Sequence, residues 1–193
     1  MPQKGNLENL VATIQEKAKD KKHFVIALSG FGGAGKSTTS KEMLKILDDA
    51  TIVPLDKFIV NRLAERSEGW DGFDWGRLIE QVLQPIKSGE ETIRYGVYDW
   101  FENKIVSEEE VKVKKYIFVE GVGLIRDSLK EYFDFSVWID VPLDVASKRG
   151  VKRDKEEYGV DHNKFWAEIW QPNDRDYFEK YKPMENCDFI LER

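Results

Sequence analysis

Three stretches of this chain run apolar with almost no polar interruption: HFVIALS at 23–29, YIFV at 116–119 and FSVWI at 135–139. Strands read this way when both faces of their sheet are covered, as in a parallel sheet. TIVPL at 51–55 and CDFILE at 187–192 predict two shorter strands. The segments between them carry another period. Leu7, Leu10, Val11, Ile14 and Ala18 recur at helical spacing and predict an amphipathic helix within residues 1–22, ending in the charged run KDKK. Met43, Leu44 and Leu47 fall on one face of a helix in 36–50, and Asp74 as N-cap with Gly89 past the last turn brackets another in 74–89.

Further along, 59–69 reads as a helical or irregular connection, and 91–115 as short strands or a hairpin with an exposed acidic turn at 107–110. Helices are expected over 123–133 and 142–159, and over 162–182 with an interruption at Pro172. Apolar strands alternating with helices predict an α/β three-layer sandwich with a mostly parallel sheet. The chain's 193 residues suit one domain, 1–193, long enough to bury about 70% of its unfolded surface.

Charge and composition narrow the partners. A net charge of −6 sets the overall field against a polyanion, so nucleic acid is not expected and an anionic ligand must be captured locally. No apolar run suits a signal peptide or a membrane span, which predicts a cytoplasmic protein without membrane contact. Cys187 stands alone and only His23 and His162 are present, too few for a cysteine or histidine metal cage. A buried structural thiol is expected at Cys187.

The candidate chemistry starts directly after the first long strand. Gly30-Phe31-Gly32-Gly33-Ala34-Gly35-Lys36-Ser37 satisfies G-x-x-x-x-G-K-[ST]. Glycines let successive backbone N–H groups turn inward around a phosphate, and the start of the next helix adds its positive dipole end. Lys36 would reach the β and γ phosphates, the Ser37 hydroxyl would ligate Mg²⁺, and Thr38 continues the cradle. A strand before and a helix after complete the context, so the fold expected is of the P-loop nucleoside triphosphate hydrolase type, holding ATP or GTP. In an open α/β sheet the crevice lies beyond the carboxyl ends of the strands. Asp56, Glu120 and Asp140 each follow an apolar strand and are candidates for magnesium binding or for accepting a proton, although Asp140, just before Pro142, reads more readily as a cap.

The loop, LDKF (55–58), DGFDWGRL (71–78), VYDW (97–100), FVEG (118–121) and VPLDVASKRGVKRD (141–154) together resemble, in order and spacing, the uridine kinase and phosphoribulokinase family of P-loop kinases. The similarity runs from about residue 24 to residue 191. It implies Asp56 as the general base acting on a substrate hydroxyl, Glu120 with Ser37 on the magnesium side, and Tyr98 lining an acceptor pocket beside Phe58. Trp70 and Trp100 flank the same segments as core or pocket. The lid is expected at about 144–162. Arg149 and Arg153, four apart, share a helical face there, Arg149 toward the nucleotide and Arg153 on the transferring phosphoryl.

Two departures bear on the acceptor. Uridine kinases carry a histidine that helps recognise the pyrimidine where this chain has Asn103, and the family's later lid arginines are missing from EEYGVDHNK, leaving Arg175 as the substitute. The expected activity is transfer of the γ-phosphoryl of ATP to a hydroxyl of a small polar molecule with Mg²⁺. A nucleoside leads; pantothenate, nicotinamide riboside, sugar acids and sugar phosphates are alternatives, as is a nucleotide-dependent switch or binding module. The family permits oligomers, but no interface is readable.

Overall fold

The structure, a computed structural model, describes residues 1–60, 65–67, 69–70 and 72–193. The connection expected over 59–69 therefore lies partly outside the described residues, as does Asp71 of the DGFDWGRL segment. In chain order the first elements are β1 (Gln3–Gly5), α1 (Leu7–Lys17), β2 (Phe24–Ser29), α2 (Lys36–Ile46) and β3 (Ala50–Pro54), followed by a 3₁₀ turn at Leu55–Phe58. Next come α3 (Trp75–Leu78), a π-helical turn at Ile79–Leu83, α4 (Gln84–Lys87), and the strands β4 (Thr92–Asp99), β5 (Lys104–Lys112) and β6 (Tyr116–Glu120). The chain continues through β7 (Phe135–Asp140), α5 (Leu143–Glu157), α6 (Asn163–Phe165), a π turn at Trp166–Trp170, α7 (Gln171–Tyr181), α8 (Pro183–Asn186) and β8 (Phe189–Glu192).

Six strands form one sheet in the order β1-β8-β7-β2-β6-β3, and every pair is parallel. The uninterrupted apolar runs account for this: each residue of β2 and β6 is buried, as strands covered on both faces require. β2 lies between β6 and β7, so the chain leaves it toward β3 on one side and later reaches β7 on the other. The crevice at its carboxyl end is where an open α/β sheet binds ligands. Asp74 caps α3 by accepting from Arg77 N at 2.9 Å, Gly89 takes φ +86° past α4, and Cys187 is buried.

Several boundaries differ from expectation for identifiable reasons. The helix expected within 1–22 occupies Leu7–Lys17, and the polar triplet QKG before it adds an edge strand to β8. The acidic run 107–110 is not a turn. It lies within β5 opposite Arg94–Val97, with Arg94 paired to Glu110 at 2.7 Å, because a strand on the water-facing side of a two-stranded sheet can be charged throughout. The actual turn is at 100–103, where Asp99 Oδ1 accepts from Phe101 N and Glu102 N and Asn103 takes φ +53°.

Only a 3₁₀ turn, Asp127–Tyr132, forms in the stretch expected to be helical over 123–133. Buried Arg126 donates to the Gly123 and Gly69 carbonyls and stacks 3.9 Å above Trp75, which holds Arg126 itself extended and Gly123 in a turn at φ +75°. Nor does Pro172 interrupt its helix. A π turn ends two residues before it, and the same arrangement precedes Pro85. Widening the turn there relieves the clash a proline ring makes with the carbonyl four residues back.

Candidate active site

The glycine loop leaves β2 at Ser29 and enters α2 at Lys36, with Gly33 and Gly35 in the left-handed region at φ +80° and +95°. Gly33 has a second constraint: a Cβ there would stand 2.1 Å from the Ala146 carbonyl oxygen of α5. Gly33→Ala should therefore lose about 2–4 kcal/mol of stability through strain and overpacking, and at least ten-fold in Mg-ATP affinity. Gly89→Ala is the control, since it shares the positive φ but has no atom within 4 Å of its Cβ. Thermal unfolding and nucleotide titration of the two variants check this, and equal behaviour would refute the packing argument.

Lys36 extends back along the loop, its Nζ donating to the carbonyls of Phe31 at 2.9 Å and Gly30 at 3.2 Å. Burial lowers its pKa against the opposing pull of Glu120, Asp174 and Asp56. Ser37 Oγ donates to Glu120 Oε1 at 2.9 Å. Glu120 is the last residue of β6 and is itself buried; desolvation first, and the Asp56 charge second, raise its pKa. Thr38 is exposed at the mouth of the loop. Asp56 sits in the 3₁₀ turn after β3, its side chain open to the crevice, yet the protein packed around it raises its pKa against the attraction of Lys36 and Arg153. Three strand ends thus bring one ammonium and two carboxylates into mutual electrostatic reach.

Above them lies α5. Arg153 donates to Asp154 Oδ1 from Nη2 at 2.8 Å and from Nε at 3.1 Å, and its charge reaches both Asp56 and Lys36. Arg149, one turn earlier, is exposed. Asp154 is buried and also accepts from Trp166 Nε1 at 2.8 Å. The Trp166 ring lies against the loop and α5: a Cβ at Gly32 would meet it at 2.8 Å and one at Gly150 at 2.2 Å. Trp170 continues this aromatic wall to Trp100 of the hairpin turn at 6.3 Å between ring centres. Trp70 is buried, and Trp100 is half-buried.

The remaining acceptor-side residues separate. Tyr98 is buried and its hydroxyl donates to Asn103 Oδ1, the Asn103 backbone being exposed in the hairpin turn. Phe58, expected beside the acceptor, is a correction: it is fully buried, with Arg77 4.9 Å above its ring and Tyr95 5.2 Å away. The 3₁₀ turn points it into the core while Asp56 faces the crevice. Arg175 points outward from α7 and lines a cavity of about 280 Å³ with Asp140, Phe31 and Phe178. It does not join the Lys36–Asp56–Glu120 group as the missing lid arginine. Asp140, the third strand-end candidate, belongs to that cavity too. Two residues that sequence reasoning passed over are in contact with the loop, Trp166 and Asp174. Nothing local in WAEIW or QPNDRDY marks them, since the loop they touch at Gly32 lies far earlier in the chain.

A strand, a glycine loop closed by lysine and serine at a helix start, and a buried acid on the adjacent strand define a P-loop phosphotransferase. Residues 65–193 match the phosphoribulokinase / uridine kinase family, and the chain belongs to it. Uridine kinases of Cronobacter sakazakii and Salmonella typhimurium are each 28% identical to it, the first over 72% of this chain and 73% of its own length, the second over 70% of both. The fold superposes on a structure assigned as a possible uridine kinase from Bacillus stearothermophilus with a TM-score of 0.74 at 19% identity, covering 96% of each chain. D-glycerate 3-kinase from Cryptococcus neoformans shares the fold at a TM-score of 0.69 and 12% identity, over 96% of this chain and 95% of that one. The protein is a kinase acting on a hydroxyl group, and its family implies ATP as co-substrate and a small-molecule acceptor. Among the described residues no helix is long and apolar enough to cross a membrane.

Proposed function

We propose that this kinase transfers the γ-phosphoryl group of ATP to a nucleoside hydroxyl presented to Asp56. The observation that carries the reading is the convergence of Lys36, Asp56 and Glu120 within one another's fields at the carboxyl ends of three adjacent strands. The loop N–H groups and Lys36 hold the triphosphate. Asp56 accepts the proton of the attacking hydroxyl oxygen, and the protein packed around it raises its pKa above the ordinary carboxylate value, which makes it a stronger base. Arg153 places a guanidinium over the phosphoryl in flight, and the Trp166–Trp170–Trp100 wall keeps water from competing as acceptor. Arg149 is assigned to the nucleotide and Tyr98 with Asn103 to the acceptor.

Magnesium fits the donor set beside the loop. Ser37 Oγ and the Glu120 carboxylate are adjacent hard oxygens, and Mg²⁺ in such enzymes takes only one or two protein ligands besides phosphates and water. When bound, the ion neutralises charge on the phosphate oxygens.

The nucleoside reading is supported by the two 28%-identical uridine kinases. A second reading keeps the kinase and exchanges the acceptor for pantothenate, nicotinamide riboside, a sugar acid or a sugar phosphate. Asn103 favours it, standing where the resemblance to uridine kinases asks for histidine and bonded to Tyr98. Transfer of label from γ-labelled ATP, and from GTP, across these acceptors decides. Uridine or cytidine should be labelled best, and Asn103→His should change the order of acceptors more than it changes ATP affinity. Labelling of a sugar acid in preference to every nucleoside would overturn the nucleoside reading. An order of acceptors unchanged in Asn103→His would remove Asn103 from acceptor choice.

A further inference from the structure

Asp174 on α7 is 1% exposed and spends its two oxygens on two different segments. Oδ2 accepts from Gly32 N in the phosphate loop at 2.8 Å, and Oδ1 accepts from the indole Nε1 of Trp70 at 3.2 Å. Its neighbour Asn173, equally buried, fastens the start of the segment that ends in Trp70: Oδ1 accepts from Ser67 N at 2.8 Å and Arg66 Nη1 at 2.7 Å. Trp70 itself is held at φ +58°, a conformation a bulky side chain keeps only when its surroundings enforce it. Two consecutive residues of one helix therefore grip Arg66, Ser67 and Trp70, and the second of them also grips the phosphate loop.

We propose that Asp174 is a positioning residue for phosphoryl transfer, its two oxygens fixing in one frame the phosphate loop at Gly32 and, at Trp70, the segment whose Phe73 pairs with Ile59 just after the Asp56 turn. The proposal rests on the kinase reading above. Two N–H donors converge on the group, and both of its oxygens keep acceptor capacity whether it is ionised or protonated; an amide offers one acceptor oxygen and turns its NH₂ against the other donor. The group has a cost that makes it visible. It is an anion beside a site for a polyanion, facing Lys36 from α2, Gly32 N–H from the loop, the Trp70 indole and Tyr177 one turn along its own helix. Burial against the pull of Lys36 has already pushed it up to about 7. A bound triphosphate raises it further, so binding at pH 8 takes up a proton and affinity falls as pH rises above 7.

The test is calorimetric titration of Mg-ATP at pH 8 in two buffers of different ionisation enthalpy, beside steady-state turnover, for the wild-type chain and Asp174→Asn. Wild type should take up a fraction of a proton approaching one. Asp174→Asn should lose that uptake and bind Mg-ATP as tightly or more tightly, yet lose about 10–100-fold in kcat through misplacement. A merely structural role would lower thermal stability and leave kcat per folded molecule as it was, and that result overturns the proposal. Should Asp174→Asn not fold, Trp70→Phe keeps the carboxylate and removes one donor: kcat should fall at least several-fold with uptake retained, and an unchanged kcat counts against the proposal. Unchanged kcat per folded molecule with Mg-ATP still bound overturns the proposal alone. No binding of Mg-ATP at all overturns the kinase reading and this proposal with it.

Discussion

Asp56→Asn should lower kcat by about 10²–10⁴-fold, the range a positioned base contributes, with Mg-ATP affinity unchanged or improved. The asymmetry follows from where the residue sits. Asp56 occupies the turn after β3, across the crevice from the loop N–H groups, and reaches Lys36 and Arg153 only through its field. Removing its charge takes nothing from the phosphate cradle and relieves one like charge near a polyanion. The pH profile supplies a second readout. Burial raises the pKa of Asp56 above the ordinary carboxylate value, so the unprotonated base accumulates only as pH rises through that raised value, and the acid limb of kcat should lie higher than an exposed aspartate would set it. In Asp56→Asn this limb should vanish from the residual rate. Stopped-flow or steady-state rates from pH 5 to 8 measure both. A variant that keeps wild-type turnover, or keeps the limb, would take Asp56 out of the chemistry.

How much of this was legible in the sequence depends on whether the determining contact is local. The phosphate loop is readable because its requirements are local: Gly33 and Gly35 must take positive φ, and Lys36 and Ser37 must open a helix directly after an apolar strand. The same holds for Glu120 and Asp56, which the end of a strand delivers to the crevice whatever the rest of the fold does. Phe58, which only the resemblance placed beside the acceptor, stands about 240° around a 3₁₀ turn from Asp56 and points inward. β1 was invisible because QKG has no apolar signal and depends on β8, nearly the whole chain away. Arg175 offers the right charge close by in sequence, yet α7 turns it outward and turns Asp174, one residue earlier, onto Gly32. On a helix adjacent residues face about 100° apart, and only the helix's packing decides which of the two reaches the site.

Lys36→Ala should abolish turnover, by about 10³-fold or more if one preorganised cation is worth what such groups usually contribute, and should also weaken Mg-ATP binding, unlike Asp56→Asn. Lys36 is the cation whose field Glu120, Asp174 and Asp56 all feel, and in the loop it lies bonded to the Gly30 and Phe31 carbonyls where the phosphates are to be cradled. The sign of the stability effect can be worked out. All three carboxylates have folded-state pKa values raised by burial and held down in part by Lys36. A carboxylate with a raised folded pKa contributes stability at low pH that is lost as pH rises through that pKa. Without Lys36 the three values rise further, so the variant should fall progressively below wild type as pH goes from 6 to 8 and differ least at the acid end. Burial lowers the pKa of the ammonium itself, so its loss relieves a desolvation cost that offsets part of this gap. Thermal midpoints measured across that range, beside nucleotide titrations, separate the two effects. A gap that stays constant or narrows with rising pH would show that Lys36 does not hold the three carboxylates down, and retained Mg-ATP affinity would remove it from the phosphate cradle.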